Sequence, residues 1–542
     1  MLAAMPLPPT TTPSGDESPV RGRDDACPGA LRLHPADDGS LARMRVPGGL
    51  LTGRQAVALG RVAEELGDGR LDITSRGNLQ VRGLDAGCGA ELAARLRAAG
   101  LLPSDRHDRV RNIVASPLSG LDGGGHADVV AWVRELDAAL CDGTPAGGGE
   151  LSGLSGRFLF ALDDGRGDVA ALGADVTLIA TPDGGAVLRV GGPLPGPDVP
   201  SPPTAGTRPD AAGRRGSRTA GSAAGSGLRV RSEDAPRAAA LAAVEFLAKA
   251  RESGTRAWRI RELPARHAVT TEGLVARLAD AGVEAVPVER EPAPRARATP
   301  PVPGPVPGPN GRHALSIALP LGRVSAAQWR LLAGLASRSG ADELRMTPWR
   351  GVVLPGFAPD DTRGALAELS DAGLVTTPDS AWLGVGACTG RPGCAKSLAD
   401  VRADTARMVA DPARGVAGTA PGTSGTARGA ADPAGVVADP AGVVADPEAV
   451  VAGGSMPWPV SGTAYGGGPA GPDPLPVYVS GCERRCGHPG GRWVDALATG
   501  DTDYRVTVRG ARGDTPEADS TDSVDVTAEQ LADAVAAARG TT

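Results

Sequence analysis

The sequence predicts an α+β fold built by internal duplication: two small half-domains whose strands share a sheet, each followed by a longer α/β domain, with polar inserts. Three observations predict it. A single shift of 273 residues, without a gap, matches two segments over about 55 residues. Within each segment the apolar positions follow a strand-like and then a helix-like period. Beyond each segment the same order of strands, ending in a helix, occurs a second time.

Taken in order, residues 1–26 are rich in Pro, Thr and Ser and read as a disordered terminus. The first half-domain spans 27–105. It holds a strand at Leu41–Val46, a helix at Thr52–Leu66 opened by Thr52 as N-cap, and a strand at Leu71–Arg82, with a second helix at Ala90–Ala99. Along that last strand Arg76, Asn78, Gln80 and Arg82 fall on one face by the two-residue period, and Leu79 and Val81 on the other. An α/β domain over 106–290 follows. It has strands at Arg157–Leu162, Val176–Ile179 and Ala186–Val190, a helix at Pro236–Ala250, and a linker-like insert at 199–228. Residues 291–311 are Pro-rich and read as a linker.

The second half-domain, 312–378, is the shifted copy. Pro47 matches Pro320, Thr52 matches Ser325, Gln55 matches Gln328, Thr74 matches Thr347 and Ala99-Gly100-Leu101 matches Ala372-Gly373-Leu374. The final domain, 379–542, repeats the α/β order: a helix through Met408, strands at Val477–Ser480 and Tyr504–Val508, and a helix at Ala528–Ala538. Its insert, 411–474, carries a seven-residue Ala-Asp-Pro repeat whose prolines exclude a helical heptad and mark a surface loop.

At 542 residues the chain has room for several cores. A net charge of −7 offers no bulk attraction for nucleic acid. Seven cysteines, no signal peptide and no apolar run of membrane-spanning length lead to the expectation of a soluble, cytoplasmic protein with neither nucleic-acid nor membrane partners. Only Lys249 and Lys396 among the 56 basic residues are lysine, a coding bias that limits what any one arginine proves.

Four cysteines carry the chemistry. Cys388 and Cys394 form a C-x5-C pair, and Cys482 and Cys486 a C-x3-C pair, both in Gly/Pro-rich loops able to wrap closely around an inorganic centre. An iron–sulfur cluster uses four such thiolates. A structural zinc site is the alternative, although zinc pairs are usually tighter, and disulfides are a third reading that a reducing compartment disfavours. At the ungapped shift Cys388 falls on Ala115, so the first copy keeps the scaffold without the cysteines.

These motifs resemble the nitrite/sulfite reductase superfamily. Within it they resemble the precorrin-3B synthase family, on Ala26-Cys-Pro-Gly29, Thr74–Gly83, Arg111–Pro117, Thr347-Pro-Trp-Arg350 and Cys486-Gly-His-Pro489. The resemblance implies a 4Fe–4S cluster on the four cysteines and a second iron centre, a mononuclear non-haem iron rather than sirohaem. It implies dioxygen-dependent conversion of precorrin-3A to precorrin-3B, with hydroxylation at C20 and closure of a lactone. The electrons would arrive from outside, from NAD(P)H through a reductase or from ferredoxin. A precorrin is a flat ring fringed by carboxylates, so Arg76, Asn78, Gln80, Arg82, Arg109, Arg111, Asn112, Arg350, Arg391 and Lys396 are the expected substrate-binding residues. For any single arginine a solvated face is the commoner role. His488 is a candidate ligand of the second iron or proton donor, or simply packs its loop.

A sirohaem sulfite or nitrite reductase is the alternative. Those enzymes present a basic-Phe-basic pattern that here reads Arg157-Phe158-Leu159, with the second cation missing. A non-catalytic iron–sulfur electron carrier is a further reading, which leaves the polar strand face without a purpose.

Overall fold

The computed structural model describes residues 25, 27–141, 151–191, 227–288, 300–410, 474–489, 491–510 and 523–540. The terminus at 1–26, apart from Asp25, and the inserts at 199–226 and 411–473 lie outside the described residues. The described residues fall into two compact units, one ending at Pro378 and the other beginning at Asp379.

In chain order the first unit opens with β1 (His34–Ala36), β2 (Gly39–Met44), β3 (Leu50–Thr52), α1 (Gly53–Glu65), β4 (Arg70–Ile73), β5 (Leu79–Leu84) and α2 (Gly89–Ala98). There follow β6 (Ile113–Ala115), α3 (Val130–Cys141), β7 (Phe160–Asp163), β8 (Val176–Ala180), β9 (Gly185–Val190), β10 (Gly227–Arg231), α4 (Ala235–Ser253), α5 (Thr271–Asp280) and β11 (Val286–Val288). The second copy has β12 (Gly304–Pro307), β13 (His313–Ala318), β14 (Arg323–Ser325), α6 (Ala326–Arg338), β15 (Glu343–Met346), β16 (Gly351–Phe357) and α7 (Thr362–Asp371). The second unit has β17 (Val385–Ala387), α8 (Val401–Ala410), β18 (Val477–Ser480), β19 (Trp493–Ala498), β20 (Asp503–Arg509), β21 (Ser523–Thr527) and α9 (Leu531–Arg539).

The duplicated halves start their first helices alike. Thr52 accepts a hydrogen bond from the Gln55 N–H and Gln55 accepts one from the Thr52 N–H, a capping box that Ser325 and Gln328 reproduce on α6. Contrary to expectation, the two copies do not share one sheet but form two sheets that exchange a strand. The sheets run β1-β2-β5-β4-β14 and β12-β13-β16-β15-β3, so each copy lends the other its short pre-helix strand. Val324 pairs with Leu71, and Leu51 with Leu344. A tight left-handed turn directs the exchange: Gly48 and Gly49 have φ of 61° and 72°, and Leu321 and Gly322 in the other copy have 54° and 70°. A Cβ on Gly49 would lie 2.0 Å from the Met346 carbonyl oxygen, so only glycine fits there. One apolar core runs through both copies. At its centre Trp329, fully buried, donates from Nε1 to the carbonyl of Ala56 at 2.7 Å, the residue to which the 273-residue shift assigns it.

The larger domains repeat as well. In the six-stranded sheet β6, β7 and β8 are parallel neighbours, and β9 and β10 follow antiparallel. The five-stranded sheet of the second unit has the same sequence of directions from β17 to β21.

Three further expectations need correction. Leu71–Arg82 is not one strand but β4, a turn and β5. Thr74 makes the turn: its N–H donates to Asn78 O at 2.8 Å and its Oγ1 accepts from the Asn78 N–H at 3.2 Å, with Gly77 left-handed at φ 66°. A two-residue count carried across a turn loses its meaning, so Arg76 and Asn78 do not line a strand face with Gln80 and Arg82. The Pro-rich stretch 291–311 ends in β12, an edge strand where Pro305 and Pro307 cost no ladder hydrogen bond. The insert at 199–228 stops short of Gly227 and Leu228, which open β10.

Candidate functional site

In the second unit, parallel β17 and β18 deliver both cysteine pairs to one edge. β17 ends at Ala387 and runs directly into Cys388, while β18 ends at Ser480, two residues before Cys482. The Cys388 N–H donates to Val479 O at 3.0 Å, and the Gly481 N–H donates to Cys388 Sγ at 3.2 Å. Leu398 N–H bonds Gly481 O at 2.8 Å, tying the first loop to the second. Burial pushes the Cys388 and Cys486 thiols up, and the neighbouring Cys482 and Cys394 push both further. All four thiols are half-buried and close enough to act on one another electrostatically. Four half-buried sulfurs, one already accepting a backbone N–H, fit a four-thiolate iron–sulfur cluster, which would take them as thiolates.

The other predicted residues of this unit serve the loops. His488 stacks on Trp493, with ring centroids 5.2 Å apart, and its Nδ1 lies 2.8 Å from Pro489 O. Arg391 donates from Nε to Ser397 O at 2.9 Å and reaches Asp501 at 3.3 Å. Lys396 lines an open depression of about 430 Å³ beside Cys482, with Leu398, Glu483, Arg484, Ala498 and Thr499.

In the first unit the predicted polar residues divide. Arg82 is buried and bidentate to Asp38 at 2.7 and 2.8 Å. Arg111 is buried and bidentate to Asp137, both at 2.6 Å. Both guanidiniums are therefore committed within the fold. Asn78 donates to Asn112 Oδ1 at 3.0 Å and accepts from the Val46 N–H at 3.0 Å, while Asn112 donates to Gly156 O at 2.7 Å. Gln80 accepts from Arg43 at 3.0 Å, and Arg109 donates to Asp25 O at 2.8 Å. Arg350 holds φ 61°, where its counterpart in the first copy is Gly77.

The sequence reading missed Arg43 and Arg45. Their signal was present, since Arg43, in β2, and Arg45, just past its end, are alternate residues. Arg43 and Arg45, with Arg76, form a cationic group that has no carboxylate pair among the described residues. Arg43 bonds only an amide, Arg45 the carbonyl of Arg109 at 3.1 Å, and Arg76 the carbonyl of Gly156 at 3.2 Å. Arg43 Nε and Arg45 Nη2 are buried without a hydrogen-bond partner. Burial, then the Arg43 charge, pulls Arg45 down to about 9; burial, then Arg259, pulls Arg76 down to about 10. Gathering like charges out of water without a counter-ion is costly, and a bound anion relieves that cost. Cys27 borders the group, its thiol raised by burial and by Asp25. A Cβ on Gly156 would meet Cys27 at 2.9 Å and Arg45 Nη2 at 3.2 Å, so glycine keeps this recess open.

The first-copy domain shows what the scaffold does without cysteines. Following the shared strand order, Ser116 stands after β6 as Cys388 stands after β17, and β7 ends in Asp163, with Asp164 and Asp168 in the loop that follows. Asp163 accepts four backbone N–H groups, from Gly165, Gly167, Val169 and Ala170, and Ser116 donates to Asp168 at 2.6 Å. That loop is closed by its own hydrogen bonds.

Comparison with known proteins agrees with this architecture. Residues 34–99 and 306–372 each match the nitrite/sulfite reductase ferredoxin-like half domain. The ferredoxin–nitrite reductase of Synechococcus elongatus is 38% identical over 130 residues, 23% of this chain and 25% of that protein. The precorrin-3B synthase of Sinorhizobium sp is 35% identical over 128 residues, 23% of this chain and 27% of that protein. The hemoprotein beta-component of the NADPH sulfite reductase of Acidithiobacillus ferrooxidans is 36% identical over 97 residues, 18% of this chain and 17% of that protein. The chain thus matches about a quarter of the length of the first two curated relatives. Among solved structures, the NirA protein of Mycobacterium tuberculosis superposes with a TM-score of 0.58 over 91% of this chain and 79% of that one, at 19% identity, a likeness of fold. Residues 34–99 and 306–372 are thus similar to the nitrite/sulfite reductase ferredoxin-like half domain, and the chain shares the fold of the NirA protein.

Proposed function

We propose that the chain is an oxidoreductase of the precorrin-3B synthase type, hydroxylating precorrin-3A at C20 with dioxygen and closing the ring A acetate as a lactone. A 4Fe–4S cluster on Cys388, Cys394, Cys482 and Cys486, charged by an external donor such as ferredoxin or an NAD(P)H-dependent reductase, supplies electrons one at a time when bound. The second iron centre belongs to this reading, and no ligand is assigned to it.

The observation that carries the reading is Leu159. It stands where reductases of this superfamily present a second cation to a small anion, and it is buried in an apolar cluster with Val114, Ala161, Val169 and Ala174, against which Trp349 packs. The first cation of that pattern, Arg157, stacks over Trp258 at 4.6 Å. A site short of cations for a small anion suits a wide, apolar ring instead. The chain's own residues then bind and orient. Arg43, Arg45 and Arg76 meet ring carboxylates, and each charge-assisted bond adds about 1.5–3 kcal/mol. Arg350 is held in a conformation that favours glycine, and such strain is retained where a side chain has work to do.

A sirohaem-dependent nitrite or sulfite reductase is the second reading. It is favoured by the nitrite reductase relatives and by the same unpaired arginines, which would equally suit the carboxylates of a sirohaem. Anaerobic purification with iron and sulfide assay, an absorption spectrum, and turnover of precorrin-3A under labelled dioxygen separate the two. A cluster spectrum without a tetrapyrrole band and one labelled oxygen on C20 is the expected result, with Cys482→Ser losing the cluster. A sirohaem band with nitrite or sulfite reduction, and no product from precorrin-3A, overturns it.

A further inference from the structure

The loop that presents the second cysteine pair is gripped at three successive points by one face of the sheet beneath it. Tyr478 pairs with Asp495 and Ser480 with Leu497 across parallel β18 and β19. By the two-residue period, Tyr478, Ser480, Trp493, Asp495 and Leu497 share that face. From it, Tyr478 Oη donates to the carbonyl of Cys486 at 2.5 Å, and Trp493 stacks on His488. Between these two contacts Asp495, 1% exposed, accepts from Arg485 Nε at 2.6 Å and from Arg509 Nε at 2.5 Å, both on Oδ2. Its Oδ1 is buried without a hydrogen bond.

Arg485 is the residue immediately before Cys486, and it holds φ 43°. Glycine adopts that backbone at no steric cost, so an arginine there is retained for its side chain. That side chain has two acidic partners. Glu483, at 2.7 Å, is 78% exposed and screened by solvent, whereas Asp495 is enclosed and acts at full strength. A buried carboxylate that receives two guanidiniums from different elements, the loop and β20, fixes their separation. It therefore fixes the loop against the sheet.

We propose that Asp495 is a positioning residue for the iron–sulfur centre: through Arg485 it holds Cys482 and Cys486 in ligating register and sets the local charge beside their sulfurs. The inference rests on the cluster reading given above. It adds a part of the protein that touches neither the cluster nor a substrate and yet governs both how firmly the cluster is held and how readily it is reduced. The two consequences can be measured separately. Removing Asp495's charge leaves an excess of positive charge near the cluster, which favours the reduced state. Removing Arg485's charge does the reverse. A merely structural bracket would loosen the loop in both variants without moving the potential in opposite directions.

The test uses the full-length holoprotein, purified anaerobically as wild type, Asp495→Asn and Arg485→Gly. Cluster content is read as iron and sulfide, the midpoint by redox titration followed by electron paramagnetic resonance, and lability by bleaching in air. Arg485→Gly preserves the backbone conformation and leaves the Asp495–Arg509 pair intact, so it decides the matter even where Asp495→Asn strands two cations and fails to fold. The expected result is faster bleaching in both variants, with the midpoint raised in Asp495→Asn and lowered in Arg485→Gly. Bleaching at the wild-type rate, or a midpoint in Arg485→Gly that stays in place or rises, overturns the inference. A wild-type protein without iron and sulfide overturns the cluster reading beneath it, a result distinct from a normal cluster with indifferent variants.

Discussion

At the residue scale, the arginines of the first unit separate by what they face. Arg82 and Arg111 face half-buried carboxylates, so replacing either by alanine leaves Asp38 or Asp137 uncompensated and costs stability, by less than the roughly 3–5 kcal/mol of a fully buried pair. Arg45 makes no ion pair with a carboxylate among the described residues, so its loss should cost ligand instead. Arg45→Ala is expected to weaken precorrin-3A binding by roughly 10- to 150-fold, read by absorbance titration, with an unchanged melting temperature or a raised one. The pH dependence has a definite sign. Burial lowers the folded pKa of Arg45 from 12.5 to about 9, so its charge opposes folding in full below about 9, and that opposition fades as pH rises toward 12.5. A bound anion favours the charged form. Affinity should therefore be level below about pH 9 and decline above it, and the decline should vanish in Arg45→Ala. A decline of the same size in the variant would point to another group.

At the element scale, the loop after β7 shows acids where the second copy of the scaffold carries cysteines. Asp168 is pushed up to about 8, by burial first and then by Asp163, so it is largely protonated at neutral pH. Its folded pKa lies above the ordinary 3.8, so the stability it contributes is complete below 3.8, declines through neutral pH and is gone once the pH passes about 8. Asp168→Asn keeps the shape of the protonated acid, and its Oδ1 still accepts from Ser116. Its melting temperature should exceed that of wild type by a margin that widens across this interval and is constant above it. A margin independent of pH would mean that Asp168 does not titrate there. The same scale explains the misread hairpin. Thr74-Ser-Arg-Gly-Asn78 has the composition of a turn, with a hydroxyl to cap it and a glycine to reverse it, yet its flanks alternate as one strand.

At the scale of the whole molecule, the strand exchange makes the two copies interdependent. A chain ended before residue 300 lacks β14 and α6, which leaves the β4 edge bare and the Ala56 carbonyl without the Trp329 indole. Such a fragment should aggregate or unfold, and co-expression with residues 300–542 should restore a soluble complex on size exclusion. A monomeric fragment 27–299 with cooperative unfolding would show that the exchange is dispensable.

The sequence by itself determined whatever depends on local period and fixed spacing. The duplication was legible because one register holds without a gap, the helix starts because Thr52/Gln55 and Ser325/Gln328 are adjacent capping pairs, and the cysteine pairs because each sits in one short loop. Tertiary structure decided what depends on residues far apart in the chain. Nothing in the order of residues says that β3 and β14 cross to the other copy, since a three-residue strand carries no partner preference of its own. Nor does it say which arginines are spoken for. Arg82 and Arg111 are neutralised by Asp38 and Asp137, residues 44 and 26 positions away, while Arg43 and Arg45 make no such ion pair among the described residues. An arginine's role is set by the charge it meets after folding, and that is a property of the assembled core and not of the residue.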